Sequence, residues 1–452
     1  MSTSDHVVML SVPGLRRKDL AAMPNLGALV GEGDQVMLVP SFPAVTWPVQ
    51  ANLVTGKLPS EHGAVANGFY WRDKQQVEMW TAGNEALERP QIWDIMHDHD
   101  SSLTSAVWFP MLSKRCGADY VCMPAPIHNP DGSESLWCYT KPTELYGDLR
   151  DELGDFPLQH FWGPMANIKS SAWIADSATQ AAKKYQPNFF YIYLTHLDYA
   201  AQKTGPDSPE ALAAVKELDE LLGRMIAGFQ EAYAGGRLLW LVASEYGITP
   251  VDHVTYPNRV LREAGLLQVR SEGTADGSEE GAGGELIDFE NSAAWALVDH
   301  QFSHVYVKDG DAAVTKRVVE LFRGQEGIQD AVAGSDRAKY DLDHERSGEV
   351  ILVSTSNSWQ AYYYWLDDAA APSFARTVDI HRKPGYDPVE LHFDMQTKSI
   401  PLDASLVKGS HGAPVATEDA EGVLLSSEKG VLLERATADI HIADFVLRQF
   451  GI

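Results

Sequence analysis

Five short apolar runs do most to limit what this chain can fold into: residues 6–12 (HVVMLSV), 35–40, 104–109, 188–197 (NFFYIYLTHL) and 237–243 (RLLWLVA). Most show no polar–apolar alternation, so they read as strands buried on both faces, the pattern of a parallel sheet covered by helices. Helical periodicity lies between them, at 172–184 and at 208–233, where Leu and Ala recur at helical spacing. Strand–helix alternation over roughly the first 250 residues predicts a doubly wound α/β domain with a mostly parallel sheet. In such a domain ligands bind at the carboxyl ends of the strands.

The character changes at 271–290, SEGTADGSEEGAGGELIDFE, which reads as a mobile surface loop rich in Gly and acid. Strand-like HVYVKD, a helix at 312–323 and a strand at 349–354 follow. These predict a smaller α+β subdomain inserted at 265–402, with 1–264 and 403–452 forming the core. An amphipathic helix at 437–450 is expected to close the fold.

The 452 residues carry 63 acidic against 36 basic side chains, a formal net charge of −27. Most of the surface repels a polyanion, so DNA and RNA are not expected partners. Three cysteines, Cys116, Cys122 and Cys138, cannot all pair, which disfavours a disulfide-built secreted protein. The opening MSTSDHVVMLSVPG has an apolar stretch of only about six residues, too short for a signal-peptide core. No apolar run reaches the roughly 18 residues of a membrane span. A cytoplasmic protein with no membrane partner is the expectation.

The chemistry concentrates in 41–73, SFPAVTWPVQANLVTGKLPSEHGAVANGFYWRD. Thr46 follows an apolar strand and opens a probable helix, then come Thr55-Gly56, Pro59, His62-Gly63 and Asn67. A hydroxyl at a strand-to-helix junction lies where free helix amides favour an anion. It suits a nucleophile attacking phosphorus or a docking point for phosphate. The ordered pattern resembles the nucleotide pyrophosphatase/phosphodiesterase branch of the alkaline phosphatase superfamily. The resemblance implies that Thr46 is the nucleophile and that Asn67 holds a phosphoryl oxygen. The plain alternative is that Thr46 is a helix cap and Asn67 a turn residue.

The resembled family binds two metal ions, usually zinc, and several of its ligand positions are changed here. Pro13 stands where the family has an Asp after the first strand, and Glu245-Tyr246 stands for its Asp-His pair. In YLTHLDYAAQKTGPDSP, Asp198 is in place and Gln202 replaces a His; GSHGAP supplies His411. If the strand continues past Leu194, His196 shares a face with Asp198. One mixed N/O site from Asp198, His411, Glu245 and either His196 or Gln202 is therefore expected. It suits one divalent ion, zinc or else manganese or iron, rather than two. The alternative has Asp198 capping a turn and His411 as a loop histidine.

A second polar cluster, TVDIHRKPGYDPVELHFD at 377–394, lies outside the family motifs. Arg382 and Lys383 are expected to bind substrate phosphate, with the loop reaching over the carboxyl edge of the sheet towards Thr46. Asp379, His381, Asp387, His300 and His253 are further candidates. The resulting expectation is a phosphodiesterase- or pyrophosphatase-like hydrolase of a small phosphorylated substrate. Two rivals come from the missing ligands: a group-transfer relative, and a pseudoenzyme that binds a phosphorylated metabolite through Thr46, Asn67 and Arg382.

Overall fold

The computed structural model describes residues 4–128, 134–273, 284–415 and 421–452. The central sheet draws on β1 (His6–Ser11), β2 (Gln35–Val39), β3 (Ser105–Trp108), β4 (Tyr120–Pro124), β5 (Cys138–Lys141), β6 (Phe189–Tyr193) and β7 (Leu238–Ala243). A four-stranded antiparallel sheet follows: β8 (Ala294–Asp299), β9 (Phe302–Val307), β10 (Ile328–Ala333) and β11 (Val350–Ser354). The chain then returns to the central sheet through β12 (Gly422–Ser426) and β13 (Ala436–Ala438). The nine strands run β13-β2-β12-β7-β1-β6-β3-β4-β5. β7, β1, β6, β3 and β4 are mutually parallel. β12 enters antiparallel between β2 and β7, and β5 is an antiparallel edge.

The unbroken apolar strands have a direct cause. Val8 and Leu10 of β1 enter one core with α2 (Ile168–Tyr185) and α4 (Pro209–Ala232); Val7 and Met9 enter another with α1 (Thr46–Thr55) and α7 (Ile442–Gln449). Both faces are covered, so no position can be polar for solvent's sake. Each large aliphatic side chain buried this way contributes roughly 1.5–3 kcal/mol. The strand of the fourth run is shorter than expected. β6 stops at Tyr193, and His196–Thr204 is helical (α3). The four-stranded sheet lies within the segment expected to be inserted. It does not stand clear of the core: Phe302, Ile351 and Val353 pack with Phe42, Val45 and Trp47 beside Thr46. The middle half of the acidic loop at 271–290 falls outside the described residues, but its flanks, Val269–Ser271 and Glu285–Ile287, pair antiparallel.

His62 anchors α1 from behind. Its Nε2 donates to Asn52 Oδ1 at 2.7 Å, and its Nδ1 accepts from the Ala64 amide at 3.1 Å. The second bond needs a neutral ring, since a protonated Nδ1 cannot accept, and burial first of all pushes its pKa down to about 3. The unfolded chain takes up a proton near the ordinary value of 6.5. The stabilisation from the neutral ring is therefore complete above that value and is lost as pH falls below it. Buried carboxyl groups titrate in the opposite sense, so the informative quantity is the stability of the parent minus that of His62→Gln. That difference should shrink by about 1 kcal/mol over the first pH unit below the ordinary value. Urea unfolding of the two proteins across that interval measures it, and a constant difference would refute the assignment.

Candidate active site

The parallel strands bring three separated segments to one edge. β1, β6 and β7 are neighbours, so the residues after their carboxyl ends converge: Pro13, Asp198 and Glu245. β2 leads into the loop before α1, which delivers Thr46 to the same edge. Thr46 lies in the first turn of a helix whose ten residues are all buried. Trp47 donates its amide to Asn67 Oδ1 at 2.9 Å, Pro48 has no amide hydrogen, and Val49 bonds back to Val45. The helix end expected to receive an anion is therefore largely used by the protein itself.

Two phenols face the Thr46 hydroxyl. Tyr246 OH lies 3.1 Å from Thr46 Oγ1, and Tyr193 is a second phenol close to the Thr46 hydroxyl. Burial, followed by nearby carboxylates, holds both phenols far above their ordinary pKa, so they remain protonated donors. Asn67 is buried and does not face the open cavity. Its Nδ2 donates to Asp299 Oδ1 at 3.1 Å and its backbone amide to Asp299 Oδ2 at 2.8 Å. In this arrangement Asn67 holds the start of α1 rather than offering its amide to a ligand.

The expected four-ligand site is drawn apart. Asp198 Oδ1 and His411 Nε2 lie 4.0 Å from each other, each buried without a hydrogen-bond partner. His411 is fixed by its Nδ1 against Ala44 O at 2.8 Å. Gly412 has φ +112°, and a Cβ there would press on Val45 at 3.2 Å, so the loop after His411 requires glycine. Glu245 is held through one oxygen: its Oε1 accepts from Ser11 Oγ and Gln50 Nε2, both at 2.7 Å, while its Oε2 is buried without a partner. Gln202 Oε1 accepts from Tyr386 OH at 2.7 Å. His196 is turned away to Glu217, at 2.9 Å, because it opens a helix instead of continuing the strand. Two residues apart on a helix is far from sharing a face.

Burial pushes the Asp198 carboxyl up to about 7, with Gln202 and Tyr246 pulling it back. Glu245 rises to about 8 for the same first reason. Among the described residues, no three His, Cys, Asp or Glu side chains converge as a metal ion requires. Divalent metal use is typical of the superfamily, but a catalytic zinc takes three protein ligands. The donors present here supply two, so they do not fit a resident ion.

Aromatic rings occupy the space beside these donors. Tyr246 stacks on His411 at 3.6 Å and 6°, His411 meets His300 at 3.9 Å, and His300 stacks on Tyr386 at 3.9 Å. His300 Nδ1 is 2.6 Å from Asp299 Oδ1. Beyond this column opens a cavity of about 580 Å³ with Thr46, Asp198 and His300 in its lining. Its walls include Trp80, Trp137, Phe161 and Trp162, and its charged lining consists of Asp198, Asp387, Glu390 and Lys114.

The 377–394 loop contributes Ile380, His381, Tyr386 and Asp387 to this lining, but not the two cations expected to do so. Arg382 lies over Phe374 with its side chain 55% exposed and pairs with Glu272 at 3.4 Å. Lys383 is buried, with its Nζ 2.9 Å from Asp387 and 2.6 Å from Glu390. A cation already held by two carboxylates is poorly placed to receive phosphate. Asp252 accepts from Asn357 at 2.7 Å, and His253 lies in the short strand beside it, paired with Ser358. Sequence reading passed over Tyr193, Gln50 and Ser11. The available signal was a polar residue one turn after Thr46 on a wholly buried helix, and a strand ending in alternating tyrosines.

An α/β sheet carrying a threonine at a strand-to-helix turn on its carboxyl edge is the framework of alkaline phosphatase-superfamily proteins. The chain belongs to the type I phosphodiesterase / nucleotide pyrophosphatase family, whose model matches residues 7–387. It is 26% identical over 255 residues to an uncharacterized pyrophosphatase/phosphodiesterase of Schizosaccharomyces pombe, covering 54% of this chain and 45% of that protein. It is 24% identical to a bis(5'-adenosyl)-triphosphatase of Xenopus laevis over 253 residues, covering 55% and 48%. The chain thus spans about half the length of the curated relatives it matches. Phosphonoacetate hydrolase from Sinorhizobium meliloti, in complex with phosphonoformate, shares the fold with a TM-score of 0.63 at 15% identity, over 99% of this chain and 96% of that one. No helix among the described residues is long and apolar enough to cross a membrane.

Proposed function

We propose that the chain hydrolyses a small phosphate ester, with Thr46 as the nucleophile and an apolar or aromatic arm of the substrate held in the cavity. The observation that carries this reading is the placement of Thr46 in the lining of an aromatic-walled cavity, with a phenol hydroxyl 3.1 Å from its Oγ1. In the first step the Thr46 oxygen bonds to phosphorus as the ester bond to the leaving group breaks. The Thr46 proton passes to solvent or to the departing oxygen. Water then attacks phosphorus and releases Thr46, which regains a proton. Tyr193 and Tyr246 donate hydrogen bonds to oxygens that gain charge in these steps, a role suited to buried, protonated phenols. Asn67 acts through the Trp47 amide to position the nucleophile. Arg382 and Lys383 have no part in this reading, because both are paired within the protein.

The leaving group is expected to be an aryl or alkyl oxygen and not a polyphosphate. Asp387 and Glu390 already share Lys383, which leaves Asp198 facing Lys114 and no cluster of free cations in the lining for a highly charged substrate. The formal net charge of −27 likewise disfavours nucleic acid as a partner. A cytoplasmic location belongs to this reading and rests on three buried, unpaired cysteines.

A second reading, binding without turnover, is favoured by the commitment of the Thr46 hydroxyl to Tyr246. Acid quenching during incubation with an aryl phosphodiester, followed by peptide mass spectrometry, separates the two. A phosphoryl adduct on Thr46 together with released aryl alcohol is the expected result. Bound ester with no adduct and no product would favour the binding protein.

A further inference from the structure

We infer that this catalytic centre operates without a resident divalent ion, the hydroxyl of Tyr246 serving beside Thr46 as the electrophilic partner that the altered motifs no longer supply as a metal. The catalytic part of this inference rests on the proposed function; the metal part does not.

Four observations converge. Pro13 offers no side-chain donor at the end of β1. Glu245 is arranged to accept neutral donors: Ser11 and Gln50 both bond its Oε1, and Gln50 is itself held by the Met111 amide at 2.7 Å. Its Oε2 is left buried without a partner, yet among the described residues no three His, Cys, Asp or Glu side chains converge so that it could complete an ion site. Tyr246 cannot easily swing aside, because its ring lies flat on His411, which His300 flanks in turn. Finally, Gln202 uses its amide oxygen on Tyr386. The remaining pair, Asp198 and His411, lacks the third ligand that holds a catalytic zinc against exchange.

A phenol differs from a metal ion in what it can do. It donates one hydrogen bond in one direction and brings no net charge. It therefore suits a substrate with a good leaving group, which needs less charge stabilisation at phosphorus than a poor one. Tyr246 is placed to touch the reacting oxygen through the same contact it now makes with Thr46.

The test begins with the full-length protein purified without added metal. Elemental analysis is expected to find zinc, manganese and iron far below one ion per chain. The thermal midpoint should be the same with EDTA as with added zinc. The Gln202→His protein places an imidazole beside Asp198 and His411, and its midpoint should rise with zinc where the parent's does not. Tyr246→Phe should keep the parent's midpoint to within the loss of one hydrogen bond but slow turnover of an aryl phosphodiester about tenfold. Stoichiometric metal that EDTA removes, with a fall in midpoint, would overturn the inference and leave hydrolysis at Thr46 standing. Indifference of the Gln202→His protein to zinc would overturn the ligand-count argument. Unchanged turnover by Tyr246→Phe would remove Tyr246 from catalysis. Absence of turnover by a metal-free, folded parent, with zinc or without it, would instead sink the proposed function while the metal result held.

Discussion

Thr46→Ala should reduce phosphodiester turnover by roughly ten-thousand- to million-fold, the loss typical of removing a covalent nucleophile. The folded state should barely register the change. The Thr46 hydroxyl has Tyr246 OH at 3.1 Å with Tyr193 as a second phenol nearby, and loss of one such bond costs about 1 kcal/mol. The helix start does not depend on the hydroxyl, because Asn67 holds the Trp47 amide and Val45 carries the first helical bond. Thr46→Ser keeps an oxygen at the same position and should retain measurable rate. Parallel measurement of initial rates and thermal midpoints for the three proteins checks both halves. A Thr46→Ala protein with undiminished rate would remove covalent catalysis at this residue, whatever its stability.

Lys383→Met should be among the most damaging substitutions in the chain, at roughly 3–5 kcal/mol of stability. The ammonium is fully buried between Asp387 and Glu390, at 2.9 and 2.6 Å. Burial pushes Glu390 upward despite the neighbouring lysine, as expected when one cation faces two carboxyl groups. Removing the lysine leaves two carboxyl groups in a low-dielectric pocket with no counter-charge. The same residues shape the cavity wall, since Asp387 and Glu390 both line it. A triple variant with Asp387→Asn and Glu390→Gln should recover much of the loss, because neutral amides remove the uncompensated charge. Urea unfolding of parent, single and triple variants gives the comparison. A loss below about 1 kcal/mol in the single variant would mean that this pair behaves like an exposed one.

The strands were legible in the sequence because a sheet covered on both faces admits no polar positions. β1, β2, β3 and β7 fall within a residue or so of the apolar runs that announced them. The same logic misled at the end of the fourth run. Apolar composition carries no mark of where a strand yields to a buried helix, so Leu194 to Leu197 read as strand and His196 was placed on the wrong face. The Thr46 segment was legible for a different reason: its glycines and polar residues stand in a spaced order that packing alone has no need to produce.

By itself, the sequence determined the α/β class, the family pattern from Thr46 to Asn67, and the identity of the missing donors at Pro13, Gln202 and Tyr246. These follow from residue type and local order. Partner choice among charged groups was decided only by tertiary structure. Lys383 and Arg382 are adjacent cations in the sequence, yet one is buried between carboxylates and the other lies outside over Phe374. Glu245 has the right atoms for a ligand, but Ser11 and Gln50, 234 and 195 residues away, commit one of its oxygens. A side chain's chemistry in a site depends on which groups reach it across the fold, and strand order brings those groups together from places that local sequence cannot connect.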